Sequence, residues 1–341
     1  MTAVEAPVAA PTAVRSVPSS GWLVVAGKEF ADHVLSVRFF VLLAVLGLAA
    51  GIPLFLATER IHQLASQVSG AQAVFLALFI IWPQDVSIFG LDVSVQGFIG
   101  LAAPLLGIAF AFDAVNGERA QGTLPRLVAQ PIHRDDVING KFVASLAAIT
   151  LVLLSVVLLI AGFGLLRLGI IPEWSEVLRL IVWFMVTVAY VAVWLAFGML
   201  LSVVVQRAAT AALIGFGVWM LVAMFGRFLF NLLLGAIAPV TNSTAVDQAL
   251  GLYQLHAFVL RLLPTTLYSE ASSVLLNPMQ TQTSVPATLG QLSQAQQQIS
   301  SIFSLDQSLL LVWPHVVALV AMSVVCFAIA YVQFMRQEVR A

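Results

Sequence analysis

The chain has 341 residues, 61% of them hydrophobic and only 9% charged, with a mean hydropathy of +1.02 and a formal net charge of −1. A soluble fold has nowhere to hide that much apolar surface, so the composition excludes one and identifies an integral membrane protein. No basic stripe exists for nucleic acid, and the lone cysteine, Cys326 in an apolar run, excludes an intrachain disulfide and offers no metal-site spacing.

Residues 1–20 are rich in Ala, Pro, Val and Ser. They lack the basic start and apolar core of a signal peptide and are expected to form a disordered cytoplasmic tail. Residues 21–341 read as one transmembrane domain. It opens with Trp22–Ser36, where Trp22, Val25, Phe30 and Val34 mix with Lys28, Glu29, Asp32 and His33. That pattern predicts an amphipathic helix over 22–36 lying on the membrane surface.

A bilayer-crossing helix needs about 20 mostly apolar residues. Six segments qualify: Phe39–Ala57, Gly97–Phe112, Phe142–Leu166, Val177–Val204, Ala208–Gly226 and Ser308–Phe334. The expected fold is therefore an all-α membrane protein of six transmembrane helices. Gly47 and Gly51 in the first span form a small-xxx-small pair, a candidate helix-packing face. The second span is short and carries Pro104 and Gly107, which suggest a kink. Ala71–Trp82 and Phe228–Val240 fall short of a span; each is either a re-entrant or interfacial helix or an extension of its neighbour.

Residues 113–141 read DAVNGERAQGTLPRLVAQPIHRDDVINGK, a polar island between two apolar spans. Ala114–Leu124 is expected to be a helix capped near its start by Asp113. Gly122-Thr123, reinforced by Pro125, turns the chain. Asp135 or Asp136 then sits in the first turn of the helix that runs through Gly140-Lys141 into the third span.

At the other side of the membrane, Arg167, Glu173, Glu176 and Arg179 cluster, and solvated interfacial ions are the expected account. Met220 and Met224 share a face of the fifth span, where packing is preferred to a soft-metal site. The segment 227–307 holds an amphipathic piece at Leu250–Leu263. A Pro-bounded helix follows, with Thr265 or Thr266 as its cap and an end before Pro278. A polar tract, QLSQAQQQISS, and a sequon at Asn242-Ser243-Thr244 complete it. His62, His256 and His315 read as isolated and interfacial, and no metal-ligand set is expected. With both termini inside, five of the fifteen Lys and Arg residues (Arg60, Arg167, Arg179, Arg227, Arg261) fall outside and the other ten inside. That bias puts the termini and the 113–141 segment in the cytoplasm.

The pattern Glu118-Arg119-x-x-Gly122-Thr123-Leu124, then Leu127-Val128-x-x-Pro131-Ile132-x-Arg134, then Gly140-Lys141, resembles the coupling segment of ABC type-2 permeases, the membrane subunits of ABC exporters. The likeness covers about Trp22 to Arg336. It extends to a subgroup that includes the copper-maturation permeases of nitrous oxide reductase operons and many drug or lipid exporters. His133 departs from the pattern, since such permeases more often place Ser or Thr there as a helix cap.

The resemblance implies a single permease domain whose coupling segment, 113–141, docks in a cleft of a separate nucleotide-binding ATPase subunit. Glu118, Arg119, Gln121 and Arg126 would make polar contacts, Leu124 an apolar anchor, and Gly122-Thr123 the turn. It also implies a second permease copy, a bacterial inner membrane, and ATP and Mg held by the partner, with no cofactor on this chain. The sequence agrees on the last point. A phosphate-cradling loop needs Gly, four residues, then Gly-Lys-Ser/Thr, and neither Gly27-Lys28 nor Gly140-Lys141 meets that pattern. The alternative reading is a membrane scaffold or sensor that recruits a cytoplasmic partner without transport.

Overall fold

A computed structural model describes residues 21–63, 74–81, 94–120, 122, 133–237, 246–278 and 304–336. The expected tail, the glutamine-rich tract and the sequon lie outside them. In chain order the helices are α1 (Gly21–Val34), α2 (Val37–Gln63), α3 (Val74–Ile80), α4 (Val95–Ala111), α5 (Asn116–Ala120) and α6 (Arg134–Leu168). They continue with α7 (Trp174–Val204), α8 (Ala208–Met220), α9 (Gly226–Ile237), α10 (Val246–Leu260), α11 (Pro264–Leu276) and α12 (Leu305–Arg336). Among the described residues there is no strand, and six helical rods are long and apolar enough to cross a membrane.

Each rod outruns its apolar run because local polar chemistry carries the helix into the interface. The fourth begins at a reciprocal capping box between Glu173 and Glu176. The second begins with Ser94 accepting the Gly97 N–H at 3.0 Å. The third ends where Gly169 takes the left-handed conformation, φ 66°, and its N–H closes on the Leu165 carbonyl. The fifth passes through a π-helical turn, Leu221–Phe225, into α9. Phe228–Ile237 therefore extends the fifth span rather than turning back.

The second, third and fourth spans form the centre, with 56%, 50% and 56% of their most apolar stretch buried. The first, fifth and sixth stand at 28%, 17% and 22%. The most intimate packing joins α7 to α12 and to α4, and α1 to α6. Glycine sets the α4–α7 approach from both sides. A Cβ at Gly107 of α4 would lie 2.8 Å from the Leu195 nitrogen of α7, and one at Gly198 of α7 would lie 2.9 Å from the Ala111 Cβ. The predicted pair, Gly47 and Gly51, faces open space within the chain.

The end of the bundle bearing α1 is called the near end, and the opposite one the far end. Short helices fill the far end. α3 is wedged in with Phe75, Leu76, Leu78 and Phe79 buried, so the described part of the expected Ala71–Trp82 element, Val74–Ile80, supplies core rather than an interfacial helix. α11 packs on α7 and α12. It starts at Pro264, at N1 with Leu263 as cap, and not at a threonine.

Of the four far-end charges, Arg167 and Glu173 are exposed as expected, but Glu176 and Arg179 are not solvated. Glu176 and Arg179 are each 4% exposed. One Glu176 oxygen accepts the Phe75 and Leu76 N–H groups of α3 at 3.0 and 3.4 Å, and the other accepts the Glu173 N–H at 2.8 Å. This carboxylate holds two helix N-termini at once, where the dipoles favour it. Arg179 donates to the Leu275 carbonyl and the Ser308 hydroxyl. His315 is not isolated either, since its Nε2 lies 2.9 Å from a Glu270 oxygen that also accepts from Arg261 Nε at 2.8 Å. Each burial is tolerable because partners are in place.

Glu176→Ala should strip that clamp. A hydrogen bond to a charged group is worth about 1.5–3 kcal/mol, so a drop of at least that size is expected in the thermal midpoint stability of the detergent-purified chain. Glu176→Gln, which keeps an acceptor, should lose less. Equal midpoints for wild type and Glu176→Ala would contradict the clamp.

Candidate functional site

Among the described residues, the near end gathers most of the ion pairs, around the described parts of the 113–141 segment. α1 lies against the start of α6, and Gly140 permits the approach: a Cβ there would sit 2.7 Å from the Val25 Cβ and 2.9 Å from the Trp22 carbonyl oxygen. One turn further along α6, Ser145 Oγ lies 3.1 Å from His33 Nε2. The His33 ring also meets Phe110 edge-on at 5.3 Å.

Leaving α4, the chain turns over 112–115 instead of starting a helix at Ala114. Asp113, the expected cap, is occupied elsewhere. Its carboxylate takes both Arg38 nitrogens, at 3.1 and 2.7 Å, and Arg38 also donates to the Ala109 carbonyl. A two-pronged charge-assisted pair outweighs a cap bond. The N–H groups of Val115 and Asn116 donate to Ser202 Oγ at 3.0 and 3.3 Å. The Asn116 amide reaches the Val205 carbonyl and Arg119 Nη1 the Val203 carbonyl, both at 3.4 Å. The last carbonyls of α7, left without helical partners, are thus met by the loop.

α5 spans only Asn116–Ala120. At Gly122 φ is 65° and its N–H closes on the Arg119 carbonyl. The expected break is at the expected residue, and only glycine adopts that conformation without strain. α6 then begins after His133, which sits at the cap position and makes no side-chain cap bond, with Asp135 and Asp136 in the first turn.

Lys141 is the centre of the site. Its side chain is 6% exposed, and its ammonium lies 3.1 Å from Glu29 of α1 and 2.8 Å from Glu118 of α5. A cavity of about 440 Å³ opens beside these groups, lined in part by Asp32, His33, Arg38, Asp113 and Ser145.

Of the residues predicted to dock a partner, Glu118 turns in to Lys141, Arg119 reaches the end of α7, and Gly122 makes the turn. Gln121, Thr123, Leu124 and Arg126 lie outside the described residues. Sequence reasoning placed Gly140-Lys141 in the coupling pattern without giving Lys141 a role of its own, and gave none to Glu29, Arg38 or Asn116. The one available signal was Lys141 itself, a lone cation at the lip of an apolar run that also follows a glycine.

Burial pushes the His33 imidazole below its ordinary value, against the opposing pull of Glu29. The sign follows from linkage. A lowered folded value means that the unfolded chain binds the proton first, so stability is full above about pH 6.5 and falls as pH drops below it. Hydrogen exchange of the α1 amides, corrected for intrinsic rate, should therefore quicken from about pH 7.5 to about pH 5.5. His33→Gln should abolish that dependence, and an unchanged dependence in that variant would exclude His33 as its source.

The sequence model of the family described as ABC-2 family transporter protein matches residues 23–339. The chain is also 31% identical over 170 residues to the "Probable ABC transporter permease protein NosY" of Stutzerimonas stutzeri, an alignment covering 48% of this chain and 56% of that protein. The match thus spans about half the length of that relative.

Proposed function

The chain belongs to the ABC-2 family of transporter proteins, and from that premise we propose that it is the membrane permease subunit of an ABC exporter. The near end is cytoplasmic, and the 113–141 segment receives a separate ATPase subunit that binds ATP and Mg. Closure of two ATPase subunits moves the segment, and the motion opens a path for an amphipathic or apolar substrate. A second permease copy completes the assembly in a bacterial inner membrane. Gly47 and Gly51 of α2, open within one chain, are proposed to pack against a helix from outside it.

The observation that carries this reading is the bracing of the segment. A push on residues 113–122 reaches α2 through Asp113 and Arg38, α6 through Glu118 and Lys141, and α7 through Asn116, Arg119 and Ser202. Three membrane helices are engaged by one short loop. A solvated loop with no mechanical role has no use for such ties.

Glu118, Arg119, Gln121, Gly122, Thr123, Leu124 and Arg126 are proposed as the docking set. Leu124 and Arg126 give the cleaner test, because Glu118 and Arg119 also hold the fold. Leu124→Ala with Arg126→Ala should cut the amount of ATPase co-purified with the permease by about tenfold or more, a loss of about 1.4 kcal/mol. Unaltered retention would refute the docking assignment. Retention with no nucleotide-driven change in the permease would favour a scaffold.

A further inference from the structure

We infer that Lys141 is a positioning residue that binds the surface helix α1 to the docking segment, so that both move with the third span as one body. This rests on the docking reading above and adds to it a specific joint.

Three contacts stitch α1 to α6, and they differ in kind. Gly140 lets the backbones close, with the Trp22 carbonyl and Val25 against it. His33 meets Ser145 at 3.1 Å. Neither involves α5. Lys141 alone contacts both partners: one ammonium, 6% exposed, faces Glu29 of α1 and Glu118 of α5, whose side chains are 13% and 19% exposed. An ammonium donates three hydrogens and can serve two carboxylates at once.

Without it, the two carboxylates face each other in a poorly solvated site, and repulsion would drive α1 and α5 apart. With it, any displacement of α5 is passed to α1 and to the first turns of the third span. Lys28 does not substitute, because its contacts, Asp32 at 2.9 Å and Glu29 at 3.5 Å, both lie within α1 and make no bridge to α5.

The test uses the permease–ATPase complex in lipid nanodiscs, with Cys326 replaced by alanine and spin labels at introduced cysteines. One label pair joins Leu23 on α1 to Leu310 near the far-end start of α12, outside the proposed body; a second joins Ala120 at the end of α5 to Leu310. All three positions are exposed. Distances are compared without nucleotide and with ATP plus vanadate. In the wild type both distances should shift. In Lys141→Met the α5 shift should persist and the α1 shift should fall within the width of the nucleotide-free distribution. Lys141→Arg, which keeps the charge, should restore it.

Should Lys141→Met fail to fold, the double variant Glu29→Gln, Lys141→Met, which leaves the docking residue Glu118 in place, removes the repulsion and should show the same loss at α1. An α1 shift that survives in either variant overturns the inference. A wild-type chain that retains no ATPase overturns the docking reading instead, and the inference with it.

Discussion

Lys141→Met is expected to cost about 3–5 kcal/mol of stability, the range found when one partner of a buried ion pair is removed. The cause is specific. Lys141 pairs with two carboxylates, those of Glu29 and Glu118, in a site where its own side chain is 6% exposed. Methionine fills a similar volume, so packing is nearly kept and the loss is electrostatic. The pattern across variants follows from charge. Glu29→Gln or Glu118→Gln alone leaves one carboxylate paired with Lys141 and should cost much less. Adding both to Lys141→Met removes every charge of the triad and should recover most of the stability. Thermal midpoints of the purified variants in one detergent check this. If Lys141→Met is no worse than the single glutamine variants, the three-way joint is wrong.

The second large effect is steric. Gly107→Leu places a side chain where α4 and α7 meet backbone to backbone. Even a Cβ would come within 2.8 Å of the Leu195 nitrogen and 3.0 Å of the Trp194 carbonyl carbon. Backbone atoms inside a continuous helix cannot swing aside as a flexible side chain can. Overpacking costs about 1–3 kcal/mol where neighbours yield, so the cost here is expected at or above the top of that range. Gly162→Leu serves as the control, since nothing lies within 4 Å of its Cβ position. The measurement is the yield of monodisperse protein together with its thermal midpoint. Gly107→Leu matching Gly162→Leu would contradict the observed crossing.

These sites show what the sequence carries and what it does not. Spans were legible because lipid demands long apolar runs, and each of the six expected segments coincides with an observed rod, the second overrunning α4 by one residue at Phe112. The turn at Gly122 was legible because a positive φ selects glycine. The 22–36 helix was legible from its periodicity. Partners were not. Nothing near Glu176 in the chain reveals that its oxygens cap α3, and nothing near His315 reveals Glu270. Charge at the end of a span reads as solvated until a second element covers it. The small-residue pair at Gly47 and Gly51 matched a helix-contact motif, yet the close contacts fell on Gly107, Gly140 and Gly198, whose neighbours come from other helices. Asp113 had the right chemistry for a cap but met a guanidinium first.

The central claim is that residues 113–141 receive an ATPase subunit, and contact is the most direct measure of it. A photoreactive amino acid at Ala120, exposed at the end of α5, should cross-link to the ATPase subunit on irradiation of the purified complex. The same group at Ile171, exposed at the far end, should not. Cross-linking at 120 alone is the predicted result. Cross-linking at 171 alone, or at neither position in a complex that retains its ATPase, would contradict the account.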